Sequence, residues 1–123
     1  VIIELIRVAV NYLSNKWNEE HKLKFKEYFN EVSTEYEKKN VIEYQIKLEQ
    51  LLRYILSIAN NKALIRFYEE ANSILKVFAQ VQWTIKTMEN FHCKLKDFGA
   101  AMLESDFAKA NKAIYETIKL GVK

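Results

Sequence analysis

The sequence predicts an all-α fold, an antiparallel bundle of four to five helices that forms a single domain over residues 1–123. The chain has no proline and only two glycines, so the tight turns of a multi-strand sheet lack their usual residues. Apolar residues recur in steps of three and four, the spacing at which helices pack lengthwise against each other. Half of the residues are apolar, which suffices for a core without disulfides or structural metal.

The first two predicted helices differ in how much of their surface is apolar. Residues 2–13 are apolar except for Glu4, Arg7 and Asn11, which line up as one narrow polar stripe. Such a helix is either the buried centre of a bundle or an element that docks on a partner or a membrane surface. A second, amphipathic helix is expected at about residues 17–38. Its apolar face consists of His21, Phe25, Tyr28, Phe29, Val32 and Tyr36.

A third helix is predicted to begin after Asn40 and to end at Asn60-Asn61. Asn40 and Glu43 have the spacing of a capping pair, in which the asparagine side chain accepts a hydrogen bond from a free helix amide. The expected seam of this helix again steps by three and four. Four further apolar residues, Ile42, Ile46, Leu52 and Leu56, are expected to widen its buried face.

The longest apolar pattern predicts one heptad-patterned helix over about residues 63–103. Its seam is Phe67, Ala71, Ile74, Phe78, Val81, Ile85, Met88, His92, Leu95, Gly99 and Met102. A straight helix of that length would extend roughly 60 Å, which is long for a chain of this size. We therefore expect either that a second copy of the chain covers the overhang or that the helix bends. The candidate bends are residues 72–73 and 84–90.

Glycine and capping residues predict how the chain continues after this helix. Gly99 costs about 1 kcal/mol relative to alanine inside a helix, so it marks either a helix end or a close approach to another backbone. Ser105 or Asp106 can cap a final helix over about residues 107–120, and Gly121 is a suitable terminator.

No pattern in the sequence indicates a catalytic, metal or cofactor site, so we predict neither an enzyme nor a bound metal or cofactor. Glu89 and His92 are three residues apart and could share an ion, but a second such pair is missing. His92 lies on the apolar seam, where a polar residue typically sets the register of packing. A pH-sensitive contact is the second interpretation of His92.

Charge and cysteine content indicate which environments and partners are expected. The net charge is +3, with cations and carboxylates interspersed instead of gathered on one face, so we predict no nucleic-acid binding. No apolar run reaches the roughly 18 residues of a membrane span, and the polar stripe of residues 2–13 has no lysine fringe, so we do not expect a membrane partner. The single Cys93 favours a reducing compartment such as the cytoplasm, although it does not exclude secretion.

The functional hypothesis that follows is a non-catalytic helical module that binds another protein or a second copy of itself through its long helix. Such an adaptor or regulatory module would form an oligomer or a complex with coiled-coil-like packing. The residues expected to make the interaction are Trp83, His92, Phe78, Ile85 and Met88. Two alternatives remain open, namely a carrier of a small apolar ligand in the bundle core and an adaptor that lies on a membrane surface. We assign the sequence to no family.

Overall fold

The computed structural model describes the backbone of residues 2–78 and 83–121 and the side chains of residues 4–71 and 83–117. Every regular element among these residues is an α-helix, as the sequence predicts. In chain order the helices are α1 (Ile2–Leu13), α2 (Glu19–Glu37), α3 (Val41–Ala59), α4 (Lys62–Phe78), α5 (Ile85–Leu103) and α6 (Phe107–Gly121). The described part of the chain thus has six helices instead of the four to five expected.

The additional helix arises because the predicted long helix is divided, and a single helix over residues 63–103 is not confirmed. Helix α4 ends at Phe78 and α5 begins at Ile85. Thr84 has an extended backbone with ψ of 164°, and its Oγ1 accepts a hydrogen bond from the Thr87 N–H at 3.1 Å. A threonine in this position is a helix N-cap, because its side chain satisfies an amide that has no partner in the first turn. The division lies between Phe78 and Ile85, so it meets the candidate bend at residues 84–90 only at Thr84, and the rest of that stretch is helical.

The α2–α3 and α5–α6 turns use the same local geometry. Lys39 and Ser105 have φ values of 56° and 58°, the left-handed conformation in which helices commonly end. The next residue, Asn40 or Asp106, donates its N–H to a carbonyl of the preceding helix at 3.1 or 2.8 Å. The same residue caps the following helix through its side chain. The predicted Asn40 cap is confirmed, and Asp106, not Ser105, caps the final helix.

The α3–α4 connection is the Asn60-Asn61 pair that the sequence predicts. Asn60 takes the left-handed conformation with φ of 50°, which asparagine tolerates better than most residues. Oδ1 of Asn61 then accepts hydrogen bonds from the N–H groups of Ala63 and Leu64 at 3.0 and 3.2 Å. Asparagine therefore ends one helix and starts the next without glycine.

Two helical hairpins, α2–α3 and α5–α6, form most of the bundle, and α1 and α4 pack on them. Helices α2 and α5 run antiparallel. Trp17, just before α2, donates from Nε1 to the Met102 carbonyl near the end of α5 at 3.0 Å. Lys39, just after α2, lies 3.9 Å from Glu89 near the start of α5. Both ends of α2 are thus tied to opposite ends of α5.

At Gly99, α5 packs tightly against a side chain of α2. A Cβ atom added to Gly99 would lie 2.5 Å from Cε2 of the Phe29 ring, closer than two carbon atoms can pack. Gly99 lies inside α5, so it does not mark a helix end. Of the two interpretations of Gly99 from the sequence, the structure shows the close approach to a neighbouring group. The neighbour is the Phe29 side chain, not a backbone as the sequence analysis expects.

Helix α1 packs its apolar face inside the bundle. Ile6, Ala9, Val10 and Leu13 are all buried, and the helix packs against α3, α4 and α6. The face that could have docked on a membrane is therefore occupied within the chain. Across the described residues we find no helix with the length and apolar character needed to cross a membrane.

Candidate functional site

The five residues predicted to mediate an interaction do not form one surface. Met88 and His92 are buried, with exposed fractions of 0% and 3%, while Ile85 is 49% exposed. Trp83 is half-buried and packs on the core. Phe78 ends α4, but its side chain lies outside the described residues. Among the four of these residues whose side chains are described, Ile85 and part of Trp83 face solvent.

His92 is the one polar residue among the buried side chains that the structure describes. Its Nδ1 lies 3.0 Å from the hydroxyl of Tyr44 on α3. Its ring stacks on Tyr36 of α2, with centroids 4.1 Å apart and planes inclined by 20°. A buried polar group needs a hydrogen-bond partner to offset its desolvation, and Tyr44 provides it. His92 therefore joins α5 to both helices of the α2–α3 hairpin.

The surroundings of His92 and Tyr44 favour their uncharged forms. Burial, followed by the positive charge of Lys96, lowers the pKa of His92 to about 4, with Glu37 opposing the shift and Lys39 adding to it. Burial, and then Tyr36, raises the pKa of Tyr44 above its ordinary value. At neutral pH the pair is therefore a hydrogen bond between two neutral groups, which suits a structural role.

Trp83 extends this aromatic cluster toward the surface. Its ring lies 6.4 Å from the ring of Tyr44 and 5.0 Å from that of Phe91, both in tilted orientations. Pairs of this geometry are attractive beyond their buried area, because the edge of one ring meets the face of the other. Trp83, the residue just before the α5 cap, is thus held against α3 and α5 and stays partly exposed.

The Glu89 and His92 pair, which has metal-like spacing in the sequence, does not converge on one point. Glu89 Oε2 lies 3.9 Å from Nζ of Lys39, whereas His92 turns inward to Tyr44. No cluster of three or more potential metal ligands is found among the described residues. The two side chains therefore serve separate contacts in this structure.

Ile42 and Ile46 are exposed, so the prediction that they widen the buried face of α3 is wrong. Their exposed fractions are 53% and 44%, whereas Leu52 and Leu56, assigned with them, are buried. Ile42 and Ile46 share a helix face with Glu49 and Arg53. Arg53 forms ion pairs across that face. In the sequence, the charged residues Glu49 and Arg53 continue the helix face on which the two isoleucines lie. This pattern is the signal that could have identified the isoleucines as exposed.

Ile42, Ile46, Ile85 and Trp83 lie at the same end of the bundle, which we call the apolar end. Tyr44, between the two α3 isoleucines, contacts Trp83, and this places the start of α5 beside the first turns of α3. Ile42 and Ile46 each lie two residues from Tyr44, which on a helix turns their side chains to the opposite side, so they face away from Trp83 and form an exposed pair on the outer side of α3. Exposed apolar pairs of this kind are common where proteins bind other proteins.

The described core leaves little room for a ligand. An apolar cavity of about 30 Å³ is lined by seven side chains: Ile6, Leu52, Phe91, Leu95, Phe98, Ile114 and Thr117. Small-molecule sites usually have volumes of about 300 Å³ or more. A cavity ten times smaller can hold roughly one water molecule.

The arrangement as a whole offers packing surfaces and no convergent set of reactive groups among the described side chains. The buried histidine is engaged by tyrosine, and the carboxylates that we can follow are paired with cations at the surface or face solvent. The exposed isoleucines of the apolar end are a surface that a partner could cover, and Tyr12, Leu23, Phe67 and Tyr115 are exposed on other helices. Comparison with known proteins gives no match to a protein-family model, to a curated protein or to a solved structure.

Proposed function

We propose that this chain is a non-catalytic helical module that binds another protein through its apolar end. The observation that carries the proposal is the pair Ile42 and Ile46, one turn apart on the outer side of α3 and 53% and 44% exposed. Covering an exposed isoleucine removes apolar area from water and so favours association. Ile85, which is 49% exposed, and the half-buried Trp83 lie at the same end of the bundle on another side.

The charges around the apolar end indicate the chemistry of the partner surface. Lys39 lies 3.9 Å from Glu89, and Lys47 lies 3.9 Å from Glu31, so cations next to the isoleucines already face carboxylates of the same chain. Such pairs leave little net field to attract a charged partner. The proposed partner therefore presents an apolar surface, such as one face of an amphipathic helix, and its binding depends weakly on salt.

Self-association through the predicted long helix needs a different arrangement of the chain. In the folded monomer Met88, His92, Leu95 and Met102 are buried, so this half of the seam is already occupied. A continuous helix over residues 63–103 would require Thr84 to leave its capping position. We retain that helix only as a proposed second arrangement, and the binding proposal does not depend on it.

The remaining sequence hypotheses are weaker on structural grounds. The small core cavity gives no support to a carrier of an apolar ligand, and the buried face of α1 gives none to a membrane-surface adaptor. Cys93 is exposed and free, and we keep a reducing compartment such as the cytoplasm as part of the proposal.

Site-directed photo-crosslinking tests the proposal on the full chain. A photoreactive phenylalanine analogue is placed at Ile46 in one variant and at Leu23, which is 67% exposed on α2, in the control. Both chains are illuminated in extract of the source cells at low and high salt. We expect a defined protein adduct from position 46 at either salt concentration, and none from position 23. Identical adduct patterns from the two positions, or no adduct from position 46, would refute binding at the apolar end.

A further inference from the structure

Helix α4 has one face against the bundle and one face in solvent. Leu64 and Tyr68, one turn apart, are buried, with exposed fractions of 8% and 2%. Successive residues of a helix are rotated by about 100°, which places a second group of side chains on the other side of α4. All five members of this group, which we call the outer face of α4, are exposed: Lys62, Ala63, Arg66, Phe67 and Glu70.

The outer face of α4 lines an open surface pocket with a volume of about 480 Å³. All of the lining residues are on this one helix, so the pocket is open on the side where a facing helix would lie. Four of them have the i, i+3, i+4 and i+7 spacing, namely Ala63, Arg66, Phe67 and Glu70. In coiled-coil packing, four residues with this spacing form the hole that receives a side chain of the facing helix.

Phe67 is also a side chain that can fill such a hole. Its ring is 56% exposed, and it lies next to Ala63, the smallest residue of the pocket. The outer face of α4 therefore carries both a hole and a side chain that fits one. A contact between two identical surfaces requires this combination, because each surface must be complementary to itself.

The charges of the outer face are arranged so that an antiparallel copy of α4 complements them. Lys62 and Glu70 are each four residues from Arg66, so they lie about 6 Å along the axis on either side of it. A copy that crosses near Arg66 in the opposite direction places its Glu70 opposite Lys62 and its Lys62 opposite Glu70. Oε1 of Glu70 is 3.5 Å from Nε of Arg66, so each of the two central arginines keeps a carboxylate partner in its own helix. A parallel copy in register would place like charges opposite each other, which is unfavourable.

We propose that the outer face of α4 is a self-association site, at which a second copy of this chain packs its α4 antiparallel about a two-fold axis near Arg66. The Phe67 ring of each copy enters the hole on the other copy. Lys62 pairs with Glu70 of the other copy at two symmetric places, and the contact closes as a dimer because both copies use the same patch.

The length of α4 indicates how strong this dimer is. The helix has 17 residues, so the contact is at most about 25 Å long and lies at the lower end of the sizes of specific interfaces. The dimer therefore forms at high protein concentration. The isoleucines of the proposed function are on α3 and this face is on α4, so either proposal can fail without the other.

Sedimentation equilibrium of the full chain, from micromolar to millimolar concentration, tests the proposal. We expect the parent to pass from monomer to dimer over this range. Phe67→Ala should raise the dissociation constant of the dimer about tenfold, because the rings no longer leave water on association. Leu23→Ala, which removes a 67% exposed side chain from α2, is the matched control and should not change it. A parent that stays monomeric, or a dimer that Phe67→Ala weakens no more than Leu23→Ala does, would overturn the proposal.

Charge reversal then tests the antiparallel pairing. Lys62→Glu places carboxylates opposite each other and Glu70→Lys places cations opposite each other, so each variant alone should form a weaker dimer than the parent. A mixture of the two variants should form a heterodimer, and the chain with both changes should dimerise as the parent does, because opposite charges face each other again. Circular dichroism checks that every variant stays folded. Failure of either combination to recover the dimer would refute the antiparallel arrangement.

Discussion

Replacing His92 should change how the free energy of unfolding depends on pH. Burial lowers the pKa of His92 to about 4 in the folded chain, whereas an unfolded histidine has a pKa near 6.5. The folded state therefore binds fewer protons than the unfolded state between these values. It follows that the contribution of His92 to stability is complete above about pH 6.5 and is lost progressively as the pH falls toward about 4.

The size of this effect follows from the burial of the ring. His92 is 3% exposed, and its Nδ1 already has Tyr44 as a neutral partner. The interval between the two pKa values, at about 1.4 kcal/mol per pH unit, corresponds to about 3 kcal/mol lost by pH 4. Lys39 and Lys96 add to the cost of a charged ring, and Glu37 offsets part of it. Such a loss is a large fraction of the stability of a typical small domain.

The assay is urea unfolding followed by circular dichroism at several pH values between 4 and 7. His92→Gln keeps a side chain that can hydrogen-bond to Tyr44 and has no titrating group. Between pH 7 and pH 4 the stability of the parent should fall by about 3 kcal/mol relative to this variant. His21→Gln, the control, keeps His92 and should follow the parent. A parent-to-His92→Gln difference that stays constant over this range would refute the buried neutral histidine.

Three substitutions test the packing and the turns by the same unfolding assay. Gly99→Ala should lower the free energy of unfolding by about 1 kcal/mol, because overpacking against Phe29 outweighs the gain in helix propensity. Adding Phe29→Leu should restore this loss. An equal loss from Gly99→Ala with and without Phe29→Leu would contradict a clash with the Phe29 ring. Ser105→Gly should stabilise by about 1 kcal/mol because φ is 58°, and a loss would argue against the left-handed turn. Asp106→Ala should cost about 1 kcal/mol through the lost cap, and no change would contradict the cap.

The helix ends that the sequence predicts correctly are those that depend on neighbouring residues. Asn40 caps α3 by accepting a hydrogen bond from the Glu43 N–H, three residues ahead. Asn60 ends α3 in the left-handed conformation. Oδ1 of Asn61 begins α4 by accepting from the N–H groups of Ala63 and Leu64, two and three residues ahead. Such signals are visible in a short window because the donor, the acceptor and the turn lie together in the chain. The same locality is why Asp106 could be nominated, with Ser105 as its competitor.

The candidate site was harder to predict because its contacts join distant parts of the chain. The sequence predicts that His92 is a polar residue on an apolar seam, but its partner Tyr44 is 48 residues away on another helix, so no local pattern pairs the two. Hydrophobicity alone places Ile42 and Ile46 in the core. Whether an apolar side chain is covered depends on which helix packs beside it, and this is a property of the tertiary arrangement.

The apolar residues spaced by three and four over residues 63–103 indicate which side of a helix is buried. The seam residues Met88, Leu95 and Met102 of α5 are buried, so the pattern identifies the correct face from Met88 onward, whereas the seam residues Ile85 and Phe67 are 49% and 56% exposed and the prediction is wrong for them. The pattern does not require one continuous helix, because a repeat of apolar residues survives a break as long as each piece buries the same side. The local signal at Thr84, a residue that caps better than it continues a helix, therefore decides where a helix begins. With the seam of α5 from Met88 onward occupied inside one bundle, contact with another protein must use other surfaces, and the exposed isoleucines of α3 are the surface on which the binding proposal depends.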